Sequence, residues 1–315
     1  MTATLYFLLM EKRGNGFLCV RQPNASAFHR KSPSMKDSCL AKENDSRNVV
    51  PCAAQPASPT HESMCCFSRK VTSVSATRIF ARLLPNNRQA LVYSMNLDTP
   101  GDVAMILPIP VAAGSGEDAV KFHALDGYAE FFTHLDLLFP RPQTLSFSRS
   151  ALPAAGAAPA PLKVVEVGAF NASFAPTVKD FGRLDEQFRL PDTVWEKIGA
   201  YSKYGFAVFK LRKGNSKVHP MAFNFPTALN GKLFFPTVHI HDGTVHALAE
   251  FDHILYAQPG HDRGVDIHQW EESESLASRD VSIQRAKGLV AGSAHIYKRR
   301  MSGKLKNEDV IVAAA

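Results

Sequence analysis

Three histidines and a carboxylate crowd the stretch Phe234-Phe-Pro-Thr-Val-His-Ile-His-Asp-Gly-Thr-Val-His246 and the few residues after it. Asp242-Gly243, set between two alternating apolar runs, predicts a two-residue type I′ hairpin turn. That register opposes His241 to Thr244, Ile240 to Val245 and His239 to His246. Side chains alternate along a strand, so His239, His241 and His246 share one face, while Val238, Ile240, Val245, Ala247 and Phe251 share the core face. Opposed residues hold their Cβ atoms roughly 4.5–5.5 Å apart, which lets imidazoles converge on one ion. Zinc or another divalent metal, bound to nitrogen at about 2.0–2.1 Å, is the implied cofactor. Glu250 and Asp252 continue the parity of His246. Glu250 is therefore the candidate base for a metal-bound water, and the implied chemistry is metal-assisted hydrolysis. His253 has the opposite parity and is expected to point inward. Seven of the 12 histidines lie between His219 and His268. Metal-free acid–base chemistry and a plain polar sheet face are the alternatives.

Cys65-Cys66 is the second place where residue types suggest chemistry. If translation begins at Met64 and that residue is trimmed, the α-amine of Cys65 becomes a base for its own thiol. The protein would then be an N-terminal cysteine amidohydrolase. The pair could instead lend a thiolate to the histidines, or pack as small apolar residues. Other groupings carry less. Ser146, Ser148 and Ser150 lack the glycines of a nucleophile elbow. Gly114-Ser-Gly-Glu117 lacks the strand–glycine–helix order of a phosphate loop. His261, Asp262, Asp266 and His268 read as a polar loop.

The elements that must position these residues are mostly strands. Of the 315 residues, 45% are apolar and 21% charged, the balance of a globular protein with a sizeable core. No apolar run reaches the roughly 20 residues needed to span a bilayer. A net charge of +7 is spread along the chain, and no nucleic-acid motif accompanies it. Residues 1–63 show neither strand nor helix periodicity, and are expected to be disordered or a mis-assigned extension ahead of Met64. The spacing of the cysteines demands no oxidising compartment, so a cytoplasmic location is expected.

From 64 to 315 the pattern predicts a single α+β body. A slide of 128 residues superposes Asn96 on Asn224, Pro108 on Pro236, and Met105-Ile-Leu107 on Leu233-Phe-Phe235. This suggests an internal duplication of two antiparallel β-meanders, the first over 74–111 and the second within a β-region at 205–256. Residues 125–139 place Tyr128, Phe131, Phe132, Leu135 and Leu138 at helical spacing and end at Pro140. Shorter helices are expected at 177–188, 192–201 and 282–290, with a flexible loop at 151–161. A terminal hairpin would pair 294–300 with 307–312, and the basic run Tyr297-Lys-Arg-Arg300 with Lys304 and Lys306 would flank a turn at Ser302-Gly303.

The segments Arg88-Gln-Ala-Leu-Val-Tyr-Ser-Met95 and Val103-Ala-Met-Ile-Leu-Pro-Ile-Pro-Val111 resemble a bacterial family of uncharacterised proteins. That family opens with a Cys-rich element, matched here by Cys65-Cys66-Phe67. A strand pair, an LPxPV-like segment (Leu107 to Val111), an amphipathic helix and a second β-region follow. The resemblance covers most of 64–256 and supports Met64 as the structural beginning. It implies no established activity, and its members are often exported. A non-enzymatic binding module that uses the polar sheet face is the remaining functional reading.

Overall fold

Alternating apolar and polar side chains from residue 73 onward fold into one strand after another. The computed structural model describes residues 65–140, 165–167, 170–184, 201–240, 246–260 and 268–313, all within the second of two units, Pro56–Ala315. In chain order the elements are β1 (Cys65–Phe67), β2 (Ser73–Leu84), β3 (Arg88–Thr99), β4 (Val103–Ile109), β5 (Lys121–Ala124), α1 (Phe131–Leu137), β6 (Val165–Val167), β7 (Phe170–Ala175) and β8 (Gly205–Leu211). They continue with β9 (Gly214–Lys217), β10 (Met221–Pro226), β11 (Leu233–Phe235), β12 (His239–Ile240), β13 (Leu248–Gln258), β14 (Glu271–Glu272), β15 (Tyr297–Lys306) and β16 (Val310–Val312).

These strands form two large sheets. The smaller runs β12-β1-β4-β8-β7-β6, the larger β14-β15-β13-β2-β3-β10-β5, with β9 also on β3 and a separate pair β11-β16. Met105, Leu107 and Phe209 of the first sheet share one apolar core with Ile79, Tyr93 and Phe223 of the second. That is the interior of a β-sandwich. The outer face of the larger sheet buries Phe80, Val92 and Tyr256 under Tyr128, Phe131, Phe132 and Leu289. The outer face of the smaller sheet buries Cys66, Ile106 and Phe206 against Phe181 and Tyr201. Both sheets are therefore covered on both sides over much of their area, which is why β4 is buried at every position.

The expected α+β class is corrected by this architecture: the protein is mostly β. Tyr128, Phe131, Phe132, Leu135 and Leu138 are buried as anticipated, but the helix is broken. A single 3₁₀ turn at Asp126–Tyr128 precedes α1, which is only seven residues long. At 177–188 the helical signal yields a 3₁₀ turn, Val178–Arg183, started by a capping box between Thr177 and Asp180. At 282–290 there are turns, because Lys287 (φ 49°) and Gly288 (φ 77°) sit in the left-handed region. Val281, Ala286, Leu289 and Val290 are buried there without a helix. The expected 192–201 helix and 151–161 loop lie outside the described residues apart from Tyr201.

Nor do the two meanders survive. β2 and β3 form a hairpin whose turn holds Asn86 (φ 59°) and Asn87 (φ 51°) left-handed, as Asn tolerates. Its proposed copy is split between sheets: β8 pairs β4 and β7, while β10 pairs β3 and β5. The terminal hairpin is also absent. β15 runs unbroken through Ser302-Gly303 along β13, and β16 pairs β11 instead. Among the described residues, no helix is long and apolar enough to cross a membrane.

Two buried glutamines stitch segments that no ladder joins among the described residues. Gln89 donates from Nε2 to the Phe234 carbonyl (2.7 Å) and accepts at Oε1 from the Phe234 N–H (3.0 Å). Gln258 does the same for Ala291, at 2.7 and 2.8 Å. Each side chain imitates a strand neighbour and satisfies both backbone groups of one residue.

Candidate functional site

The histidine segment lies where the two sheets meet at one edge. β12 adds to the smaller sheet in parallel with β1, in a register that makes Cys65 the Cα partner of His239 and Cys66 that of Ile240. β13 belongs to the larger sheet. Residues 241–245, with His241 and the Asp242-Gly243 turn, lie outside the described residues. On either side of them the chain has changed sheets, and no ladder joins β12 to β13 among the described residues.

His239 and Ile240 are both buried (2% and 1% exposed), although successive strand residues face opposite ways. Each finds its own core. Ile240 packs with Cys66 and Phe206 outside the smaller sheet. His239 turns into the sandwich, with its ring 4.2 Å from the Phe251 ring and 5.3 Å from that of His253, nearly parallel to the latter at 16°. His253 is fully buried, and its inward direction agrees with its parity. Its Nε2 has no hydrogen-bond partner among the described residues. Burial first, then the neighbouring His239, pushes the His253 imidazole down to about 2. A ring so reluctant to take a proton does not serve as a base at neutral pH.

The other site residues are placed elsewhere. His246 is exposed, and Glu250 is exposed on β13 opposite Lys304, on the face of the strand away from Phe251 and His253. Asp252 accepts the Ala76 N–H at 2.5 Å. That bond holds Ala76 at φ 52°, where the β2–β3 register shifts between Ser75 and Arg78. Among the described residues, no three His, Cys, Asp or Glu side chains gather as a metal site would require.

The groups that organise this edge come from the C-terminal segment. Asn307 accepts the His239 N–H at Oδ1 (2.7 Å) and donates from Nδ2 to the carbonyls of His239 and His246, each at 3.0 Å. Asp309 accepts the N–H groups of Thr237 and Val238 at Oδ1 (2.8 and 3.0 Å) and the Tyr201 hydroxyl at Oδ2 (2.5 Å). Burial pushes the Asp309 carboxyl up to about 6, against the pull of those three bonds. The Tyr201 hydroxyl is driven far above its ordinary value by burial and by Asp309. In sequence Asn307-Glu-Asp309 reads as the start of the second strand of the expected terminal hairpin. Only its polar density next to Val310-Ile-Val312 hinted at more.

The edge of the larger sheet is more open. β15 is paired with β13 along its length, from Tyr297↔Ala257 to Lys306↔Leu248. On its other side β14 reaches only Tyr297 and Lys298. Among the described residues, 299–306 has no outer strand. Arg300, Lys304 and Lys306 are exposed there, as are Leu305 (36%) and Leu248 (51%).

Fold and edge together define a two-sheet β-sandwich with buried imidazoles and one long basic border. No family model matches the chain, and no curated protein matches it. Among solved structures it is similar to baculovirus P35, at 13% identity over 77% of this chain and 97% of that one, with a TM-score of 0.40. It is also similar to a mutated baculovirus P35 after caspase cleavage (13% identity, 76% and 100% covered, TM-score 0.42). A third such structure is the caspase-8/P35 complex (14%, 76% and 96%, TM-score 0.38).

Proposed function

We propose that this protein is a non-enzymatic binding module that takes an acidic, extended segment of a partner protein along the outer edge of β15. The observation that carries this reading is the side of 299–306 turned away from β13, which no strand pairs among the described residues, beside Arg299, Arg300, Lys304 and Lys306, the last in an ion pair with Glu308. An added strand gains ladder hydrogen bonds whatever its sequence, and the flanking charges select which strand is added. Like charge keeps a second copy of this border away, while an acidic segment is drawn in. The buried, weakly basic His253 gives no comparable support to hydrolysis.

Anisotropy of a fluorescein-labelled alternating Glu-Val decapeptide tests the proposal. The wild-type protein is expected to bind it more weakly as salt rises, since exposed charges are screened over roughly 10 Å at 0.1 M. The triple charge reversal Arg300→Glu, Lys304→Glu, Lys306→Glu should abolish binding while leaving the circular dichroism spectrum unchanged. No binding by the wild type, or equal binding by the folded variant, refutes it.

A further inference from the structure

Arg82 is a half-buried charged side chain with no acidic partner among the described residues. It lies on β2 between Ala90 and Gln258 in register, on the face that carries Phe80 and Leu84. Nη1 donates to the Gly288 carbonyl at 3.2 Å, whereas Nε is buried with no hydrogen-bond partner among the described residues. A guanidinium carries five N–H donors and keeps its charge, so an unsatisfied one is costly to bury. Other arginines nearby are served. Arg88 donates to Asn224 Oδ1 (2.7 Å), to the Ala119 carbonyl (2.9 Å) and to the Asn224 carbonyl (3.1 Å). Arg78 reaches Asp136 at 3.0 Å.

Arg82 lines a cleft of about 320 Å³ together with Asn86, Gly231, Gly260 and Ala291, and no Asp or Glu is among the described residues of its wall. The β2–β3 turn forms one side, and Gly260 leaves the other low. The geometry points to an oxyanion subsite, in which the Arg82 guanidinium receives a carboxylate or phosphate group entering this cleft. Planar N–H pairs fit both anions two-pronged, and no acid among the described residues of the wall takes up the charge. Burial already pulls the Arg82 guanidinium below its ordinary pKa, and an anion would relieve that. The cleft lies beyond the Gln258 end of the β13–β2 pairing, away from Lys304 and Lys306, so the subsite is independent of the β15 proposal.

Isothermal titration at constant ionic strength, with inorganic phosphate in one arm and N-acetylglutamate amide in the other, tests it. At least one probe is expected to bind saturably to wild type and to raise its melting temperature, where equivalent chloride does not. A response to phosphate alone identifies a phosphate-bearing ligand, and a response to the carboxylate identifies an acidic one. Arg82→Gln should weaken binding at least about tenfold. Should that variant not fold, Gly260→Leu serves instead. A Cβ at Gly260 meets Leu83 Cβ at an ordinary 3.5 Å, so the longer side chain can fill the cleft and leave Arg82 in place. The Lys304→Glu variant should bind the anion as the wild type does. Absence of saturable binding by either probe, or full affinity in a folded Arg82→Gln or Gly260→Leu variant, overturns the assignment.

Discussion

Replacing His253 by Phe should change how stability responds to acid. The imidazole is fully buried and its pKa is pushed down to about 2, from the ordinary value of 6.5. Above pH 6.5 it is neutral in both the folded and unfolded chain and contributes no pH dependence. Below 6.5 the unfolded chain gains a proton that the folded one refuses, so stability is lost as pH falls from 6.5 toward 2. The loss is about 1.4 kcal/mol per pH unit once well below 6.5, or about 2 kcal/mol between pH 7 and pH 5. Asp309 acts in the opposite sense. Its carboxyl is raised from 3.8 to about 6, so the folded chain is protonated first and gains stability as pH falls through that window. That gain, about 1 kcal/mol over the same interval, belongs to wild type and variant alike. Phenylalanine has a similar shape, fits beside Phe251 and the His239 ring, and removes the buried Nε2 along with the Nδ1 that accepts the Asp252 N–H at 3.3 Å. Urea unfolding at pH 7 and pH 5 then gives the comparison. The pH-linked loss should be about 2 kcal/mol smaller in His253→Phe, leaving its stability flat or rising toward pH 5. Curves that fall in parallel would refute the account of a sealed, neutral ring.

Two other perturbations follow from the same bonds. Asp309→Ala strips the acceptor from Thr237, Val238 and Tyr201, and should cost about 2–3 kcal/mol by urea unfolding at pH 7. It should also abolish the gain between pH 6 and pH 4. Gln89→Leu leaves the buried N–H and carbonyl of Phe234 unsatisfied, and should cost about 2–4 kcal/mol with faster amide exchange at Phe234.

What the sequence revealed was local. The strands within 74–111, the burial of Tyr128, Phe131, Phe132, Leu135 and Leu138 and the inward direction of His253 all follow from period. Alternation states which face a residue takes, not which strand lies beside it, so the transfer of β8 to the other sheet left no mark. The histidine argument assumed one wet face. In the structure β12 has a core on both sides, and His239 is buried as deeply as Ile240. Helical spacing at 282–290 was satisfied by turns, since burying Val281, Ala286 and Leu289 requires their direction and not a helix. Asn307, Asp309 and Arg82 were invisible because their roles depend on distant backbone groups.

The larger sheet joins β2 side by side with β13 in the same direction, and the smaller does so with β1 and β12. During synthesis, the earliest strands thus wait for residues more than half the chain away before their parallel neighbours exist. Such long loop closures slow folding and leave bare ladders in the interval. A ribosome-bound chain that stops short of β13 would expose β2 along one whole side. Nascent chains halted there should adhere to one another, and full-length chains, in which β13 and β15 are both in place, should not.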